Sequence, residues 1–261
     1  MHAPLGFYSI GLANINLKAL ARIAKDHSLP FIHLRGGQRG YDFASWTERK
    51  LEMLPGIANL LPPVTVVTTE IDITDSSLSL PVQNPPDNLL RLCHAADLFG
   101  ANTLRLTARG YVSCNSWTEL IHRWGSVTNK KFVVELHDPL WFNPSAAATF
   151  VKRCERAFIG ILIDSQQVSL ACRQFGVVQT EEALAIYEPI VRFAHVTDPG
   201  SGLTSPGTKM VFNLIANARA VHPIEAVFEW TGADRSPERA TMAYAVAAQV
   251  WENFWERKDL S

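Results

Sequence analysis

Four apolar runs in the second half of this 261-residue chain carry, at or near their ends, a side chain able to ligate a metal. VVELHD (133–138) carries Glu135, LIDSQQ (162–167) Asp164, FAHVTD (193–198) His195 and FEWTG (228–232) Glu229. Their separations are 29, 31 and 34 residues, each about one strand-plus-helix unit. If successive strands deliver these groups to one rim, three carboxylates and an imidazole converge on an apolar mouth, where they desolvate and repel one another. A shared divalent cation relieves that cost. Oxygen donors with one nitrogen suit Mn²⁺, Mg²⁺ or Co²⁺ at least as well as Zn²⁺. Taken singly, each residue reads as a strand-end polar group satisfied by its neighbours; four in register point to the metal.

Strand alternation extends the candidate site. In FIHLRGG, His33 and Arg35 share a face, and Ile32 and Leu34 take the other. In TLRLTARG, Arg105, Thr107 and Arg109 share one. His137 follows Glu135 by two and points the same way. Glu70 ends VTVVTTE, a run that alternates poorly. The guanidinium forks of Arg35 and Arg105 suit an anionic substrate group, and equally suit Glu70 or Asp72 within the barrel wall. His33 and His137 are either rim polar groups or proton carriers. We therefore take His33, Arg35, Glu70, Arg105 and His137 as candidate substrate contacts.

The elements that would position these groups recur regularly. Short β-rich runs fall at Gly6–Leu12, Phe31–Leu34, Val64–Thr69, Thr103–Thr107, Lys131–Leu136, Phe158–Ile163, Val191–Val196 and Ala226–Trp230. Helical periodicity fills the gaps, as with Leu17, Leu20, Ala21 and Ala24, or Leu89, Leu92, Cys93 and Ala96. Asn143-Pro144 and Ser236-Pro237 are helix-start signals, and Gly100 stands where a helix would stop. Eight strand–helix units at about thirty-residue spacing predict an α/β fold, a single-domain (β/α)8 TIM barrel over residues 1–261. Such barrels do their chemistry at the carboxyl ends of the strands. Trp251, Phe254 and Trp255 form one stripe on the last helix, for packing on the barrel or for a homo-oligomer interface.

Composition narrows the partners. Hydrophobic residues at 47% can fill a large core, and 24 Lys and Arg against 25 Asp and Glu argue against holding nucleic acid by bulk charge. Cys93, Cys114, Cys154 and Cys172 lie far apart, without zinc-site spacing, and read as reduced thiols. There is no signal-peptide pattern and no apolar run of membrane-spanning length. The expectation is a cytoplasmic protein acting on a small molecule.

On the four quoted motifs, the chain resembles the xylose isomerase-like barrels, which include sugar phosphate isomerases, ketose 3-epimerases, hydroxypyruvate isomerases, inosose dehydratases and endonuclease IV. LIDSQQ resembles the family's LDxxH, FAHVTD its HxKD, and VVELHD and FEWTG its two Glu-bearing strands. In the ketose 3-epimerase branch the matching Glu, Asp, His and Glu bind the metal, and the two glutamates exchange protons with the substrate. The resemblance therefore implies Glu135 and Glu229 as ligands and acid/base groups, with Asp164 and His195 completing the set. Three positions depart. Gln167 stands for the family His, often a substrate contact, so the resemblance implies Gln167 as a further candidate substrate contact; Thr197 stands for the Lys of HxKD, and no Arg follows His195 closely, Lys209 being the first cation there. The histidines of the endonuclease IV three-metal cluster are missing. The implied activity is a metal-dependent isomerase or epimerase of carbohydrate metabolism. It would work through a metal-stabilised enediolate on a small, sugar-like hydroxy-carbonyl compound, anionic if the arginines anchor it. A dehydratase or other lyase shares the first half-reaction, and a non-catalytic accessory barrel is the third reading.

Overall fold

Eight parallel strands pair in sequence order and close on themselves, the first against the eighth. They are β1 (Gly6–Tyr8), β2 (Ile32–Arg35), β3 (Val64–Asp72), β4 (Thr103–Ala108), β5 (Lys131–Leu136), β6 (Gly160–Asp164), β7 (Val191–Asp198) and β8 (Glu225–Trp230). The computed structural model describes residues 3–12, 14–75, 84–111, 116–157 and 159–259. The surrounding helices are α1 (Leu17–Asp26), α2 (Glu48–Leu51), α3 (Leu54–Ala58), α4 (Asp87–Leu98), α5 (Ser116–Thr128), α6 (Pro144–Ala157), α7 (Ser165–Phe175), α8 (Val177–Tyr187), α9 (Pro206–Ala218) and α10 (Pro237–Asp259).

Local chemistry explains the boundaries. The Asn143 side chain accepts from the backbone N–H groups of Ser145 and Ala146 at the start of α6, and Ser236 Oγ accepts from Arg239 N at the start of α10. Gly100 takes φ +73° just after α4, a conformation that costs glycine little. Every strand but β5 departs from the periodic reading at one end or both. β1 stops at Tyr8 because residues Ser9–Gly11 form a 3-10 turn. Ser9 Oγ accepts from the backbone N–H of Arg35, which ties that turn to β2. β3 runs on to Asp72 through an irregular step after Thr68, regaining register against Thr107. β6 begins at Gly160, Phe158 lying outside the described residues.

Alternation splits the core in two. Ile32, Leu34, Leu104, Leu106, Val134, Ile161, Ile163, Ala194, Val196, Ala226 and Phe228 face outward into the large apolar layer under the helices. Inside the barrel a small cluster of Tyr8, Phe31 and Val227 makes the floor. Gly6 leaves room for it, since a Cβ there would sit 2.2 Å from the Phe31 ring. Above it, inward-facing Val133 and Leu162 alternate with the polar Glu135 and Asp164 on the same strands. The α10 stripe is spent within the chain. Trp251 and Trp255 are buried, Trp251 Nε1 donates to Ala3 O at 3.0 Å, and Trp251 and Phe254 pack on Phe212 at 5.1 and 5.0 Å. Phe254 stays half-buried at the edge of this packing. Among the described residues no disulfide is formed, and Cys114 lies outside them. No helix among them is long and apolar enough to cross a membrane.

Candidate metal centre

Strand register brings the four motif residues together. Glu135 on β5 sits level with Leu162 on β6, two residues before Asp164. Asp164 is level with His195 on β7. His195 is level with Val227 on β8, two residues before Glu229. Barrel strands tilt by about 36°, so groups at one height must advance along successive strands, as these do. Glu135, Asp164, His195 and Glu229 are all buried, and one ligand atom from each lies within 4.8 Å of the others. Donors about 2.1 Å from a common ion stand roughly 3 to 4 Å apart, so only a small closure separates this cluster from a coordination shell.

The surroundings show where charge is satisfied. Glu135 Oε2 is held by Arg105 Nη1 at 3.1 Å, and His137 Nε2 lies 2.9 Å away. The His137 contact is off the line of a good hydrogen bond, so it counts as an ion pair. Burial alone would raise the Glu135 carboxyl, but the charges of Arg105, His137 and His195 overcome it and hold the group well below the usual carboxylate range. Burial works against a charged His137 too, and the Glu135 charge outweighs it, raising this imidazole.

Asp164 works at both ends. Its Oδ1 accepts from the backbone N–H groups of Gln166 and Gln167 and caps α7. Its Oδ2 accepts from Thr197 Oγ1 at 3.0 Å, and that hydroxyl also lies 3.4 Å from Glu229 Oε2. Burial, then the charges of Glu229 and Glu135, push the Asp164 carboxyl up to about 7. His195 Nδ1 lies 3.1 Å from both Glu135 Oε1 and Glu229 Oε2, yet makes no well-formed hydrogen bond to either. Burial disfavours a charged His195, but the two glutamates raise it to about 9. A cluster that draws protons onto His195 and Asp164 is one in need of positive charge. The buried, unbonded Nδ1 aimed between two carboxylates fits a divalent ion taking the place of those protons.

The other candidate residues fall into distinct places. His137 stands beside Glu135 with a third of its side chain exposed. Arg105 reaches into the site, but its partners are Glu135, Tyr8 OH at 2.9 Å and Thr69 O at 3.2 Å, not Glu70 or Asp72. Arg35 pairs with Glu70, which also accepts from Arg39 N. Gln167 has its side-chain oxygen buried without a partner. His33 is not on the open side. It is wholly buried beneath His195, bonded to it and to Glu225 Oε1, and burial lowers it to about 4, so it is neutral at neutral pH. That placement replaces substrate contact with support.

Three further residues belong to the site. Tyr8 packs its ring 4.7 Å from that of His195 and bonds Thr68 at 2.8 Å. Thr197 links two of the carboxylates. Glu225 lies four residues before Glu229, on the same inward face, a signal readable by alternation. Tyr8 had no such signal, its strand being three residues long.

No known family model matches the chain, and no curated protein matches it in sequence. Its fold does match solved structures. A xylose isomerase domain containing protein from Salmonella typhimurium LT2 has 13% identity and TM-score 0.66, over 95% of this chain and 97% of that one. D-psicose 3-epimerase, solved in the presence of D-fructose, has 11% identity and TM-score 0.65, over 95% and 99%. The probable 3-DHS dehydratase involved in petrobactin synthesis from Bacillus anthracis has 12% identity and TM-score 0.61, over 94% and 98%. At these identities the likeness establishes a shared barrel fold.

Proposed function

We propose that this chain is a divalent-metal-dependent isomerase or epimerase of a small hydroxy-carbonyl compound, with Glu135, Asp164, His195 and Glu229 holding the ion. The carrying observation is the buried His195 Nδ1, set among three carboxylates without a hydrogen bond of its own. A bound divalent ion would polarise adjacent carbonyl and hydroxyl oxygens of the substrate and stabilise negative charge developing there.

The two glutamates differ in what surrounds them, and this refines their roles. Glu135 has one oxygen engaged by Arg105 and His137. A carboxylate so well charge-paired is a poor proton acceptor, and we assign it chiefly to holding the ion. Glu229 is approached by the Thr197 hydroxyl and His195 and, among the described residues, by no arginine ion pair, and we assign it the removal of the proton α to the carbonyl. For epimerisation or isomerisation the proton is returned from the opposite wall, where His137 stands beside Glu135.

His137 also favours a second reading, since a raised, partly exposed imidazole can protonate a leaving hydroxyl and turn the same first step into a dehydration. The test is incubation of the Mn²⁺-loaded protein with a panel of ketoses and cyclic hydroxyketones in D₂O. Isomerisation or epimerisation puts deuterium on carbon, while dehydration releases water from the product. Glu229→Gln should abolish either outcome while leaving the barrel folded. Full activity in that variant would remove Glu229 from the chemistry.

A further inference from the structure

A column of polar side chains runs down the barrel axis below the four candidate ligands. His195 Nε2 lies 3.1 Å from His33 Nδ1, and His33 Nε2 lies 3.0 Å from Glu225 Oε1. Thr65 Oγ1 donates to that same Glu225 oxygen. His195 and His33 are wholly buried, and Glu225, at the amino end of β8, keeps 29% of its side chain exposed. Glu225 and Glu229 thus lie at opposite ends of one strand, roughly 13 Å apart at about 3.3 Å per residue.

The direction of every bond in this column follows from its last member. An ionised carboxylate only accepts, so His33 Nε2 must donate to Glu225. A neutral imidazole that carries its proton on Nε2 has a bare Nδ1, so that atom must accept from His195 Nε2. His195 is then left with Nδ1 as the atom facing the space between Glu135 and Glu229, open to an ion that displaces the proton those carboxylates draw onto it. Ring packing holds the alignment: Tyr8 lies against His195 at 4.7 Å, and Phe193 against His33 at 5.4 Å. Histidine ligands commonly lean on a carboxylate directly. Here a second imidazole carries the same instruction from a carboxylate one layer further away.

We propose that His33 and Glu225 are positioning residues, a buried relay that fixes the tautomer and aim of His195 so that Nδ1 serves as the metal donor. This rests on the metal reading above.

The test compares wild type, Glu225→Leu, Glu225→Gln and His33→Phe. Mn²⁺ affinity is read from free Mn²⁺ by electron paramagnetic resonance, folding from circular dichroism and thermal melting, and ring protonation from ¹⁵N-detected NMR of the metal-free protein. Outer partners of metal-binding histidines typically contribute about 10- to 100-fold in affinity. We expect Glu225→Leu to weaken Mn²⁺ binding about tenfold and His33→Phe by up to about a hundredfold. Glu225→Gln, whose amide oxygen still accepts, should stay close to wild type. In wild type and Glu225→Gln, the NMR should show His33 protonated on Nε2 and bare on Nδ1, with mixed tautomers in Glu225→Leu. Should His33→Phe fail to fold, the Glu225 pair decides. A Glu225→Leu that melts earlier but binds Mn²⁺ like wild type overturns the proposal, as does a His33 protonated on Nδ1 in wild type. A wild type that binds no divalent ion overturns the metal reading, and this relay with it.

Discussion

Replacing Arg105 with Met tests whether the site is built around a buried charge pair. Arg105 and Glu135 keep only 8% and 3% of their side chains exposed, with Nη1 and Oε2 3.1 Å apart. Removing one member of such a pair strands the other, at a cost of about 3–5 kcal/mol. Loss of the Tyr8 hydrogen bond adds about 1 kcal/mol. For a chain of this size about 1 kcal/mol moves the melting temperature by about 2–4 °C, so a fall of roughly 8–24 °C is expected. The pair's contribution has a pH sign. Because Glu135 is held below its usual value, the stabilisation is present above the ordinary carboxylate range and is lost as pH falls through the lowered value. The assay is urea unfolding of the metal-free protein near neutral pH, for Arg105→Met and for Arg105→Met combined with Glu135→Leu. The double variant removes both members of the pair and should recover at least half of the loss. A single variant within 1 kcal/mol of wild type, or a double variant no better than the single, would refute this account of the pair.

Metal affinity should rise with pH, because protons on Asp164, titrating at about 7, and His195, at about 9, compete with the ion. Calorimetric titrations with Mn²⁺ should show about two protons released per ion below pH 7 and about one between pH 7 and 9; an affinity flat across that range contradicts the reading. Thr197→Val leaves Asp164 Oδ2 without its hydroxyl donor, and chemical denaturation should register a loss of about 1–3 kcal/mol. Trp251→Ala should cost about 3–5 kcal/mol by cavity formation, with the same oligomeric state as wild type by light scattering, since the ring is buried within the chain.

The barrel was legible because eight β-rich runs alternate with helix-period stretches, and those two periods differ enough to separate without tertiary information. The gathering of Glu135, Asp164, His195 and Glu229 was legible for a related reason: near-equal spacing on successive parallel strands forces residues to one rim. Partner choice was not. Alternation turned Arg105 inward, but its pairing with Glu135 rather than Glu70 depends on strand stagger and on the irregular step in β3 after Thr68. His33 was placed on the inward face but at the wrong height, because height depends on where each short strand begins relative to its neighbours. Glu225 obeys the alternation that picks out Glu229, but it opens β8 at the amino end of the barrel, away from the rim where such sites form. The stop of β1 at Tyr8 came from a side chain bonding across to β2, a contact invisible in a local window.

The central claim is that four side chains share one ion. Its most direct test is equilibrium binding of Mn²⁺ to the purified chain, in wild type and in Asp164→Asn, which can still cap α7. The account predicts one ion per chain in wild type and at least tenfold weaker binding in Asp164→Asn, with the helical signal unchanged. Stoichiometric binding unaltered by that substitution, or no saturable binding in wild type, would contradict it.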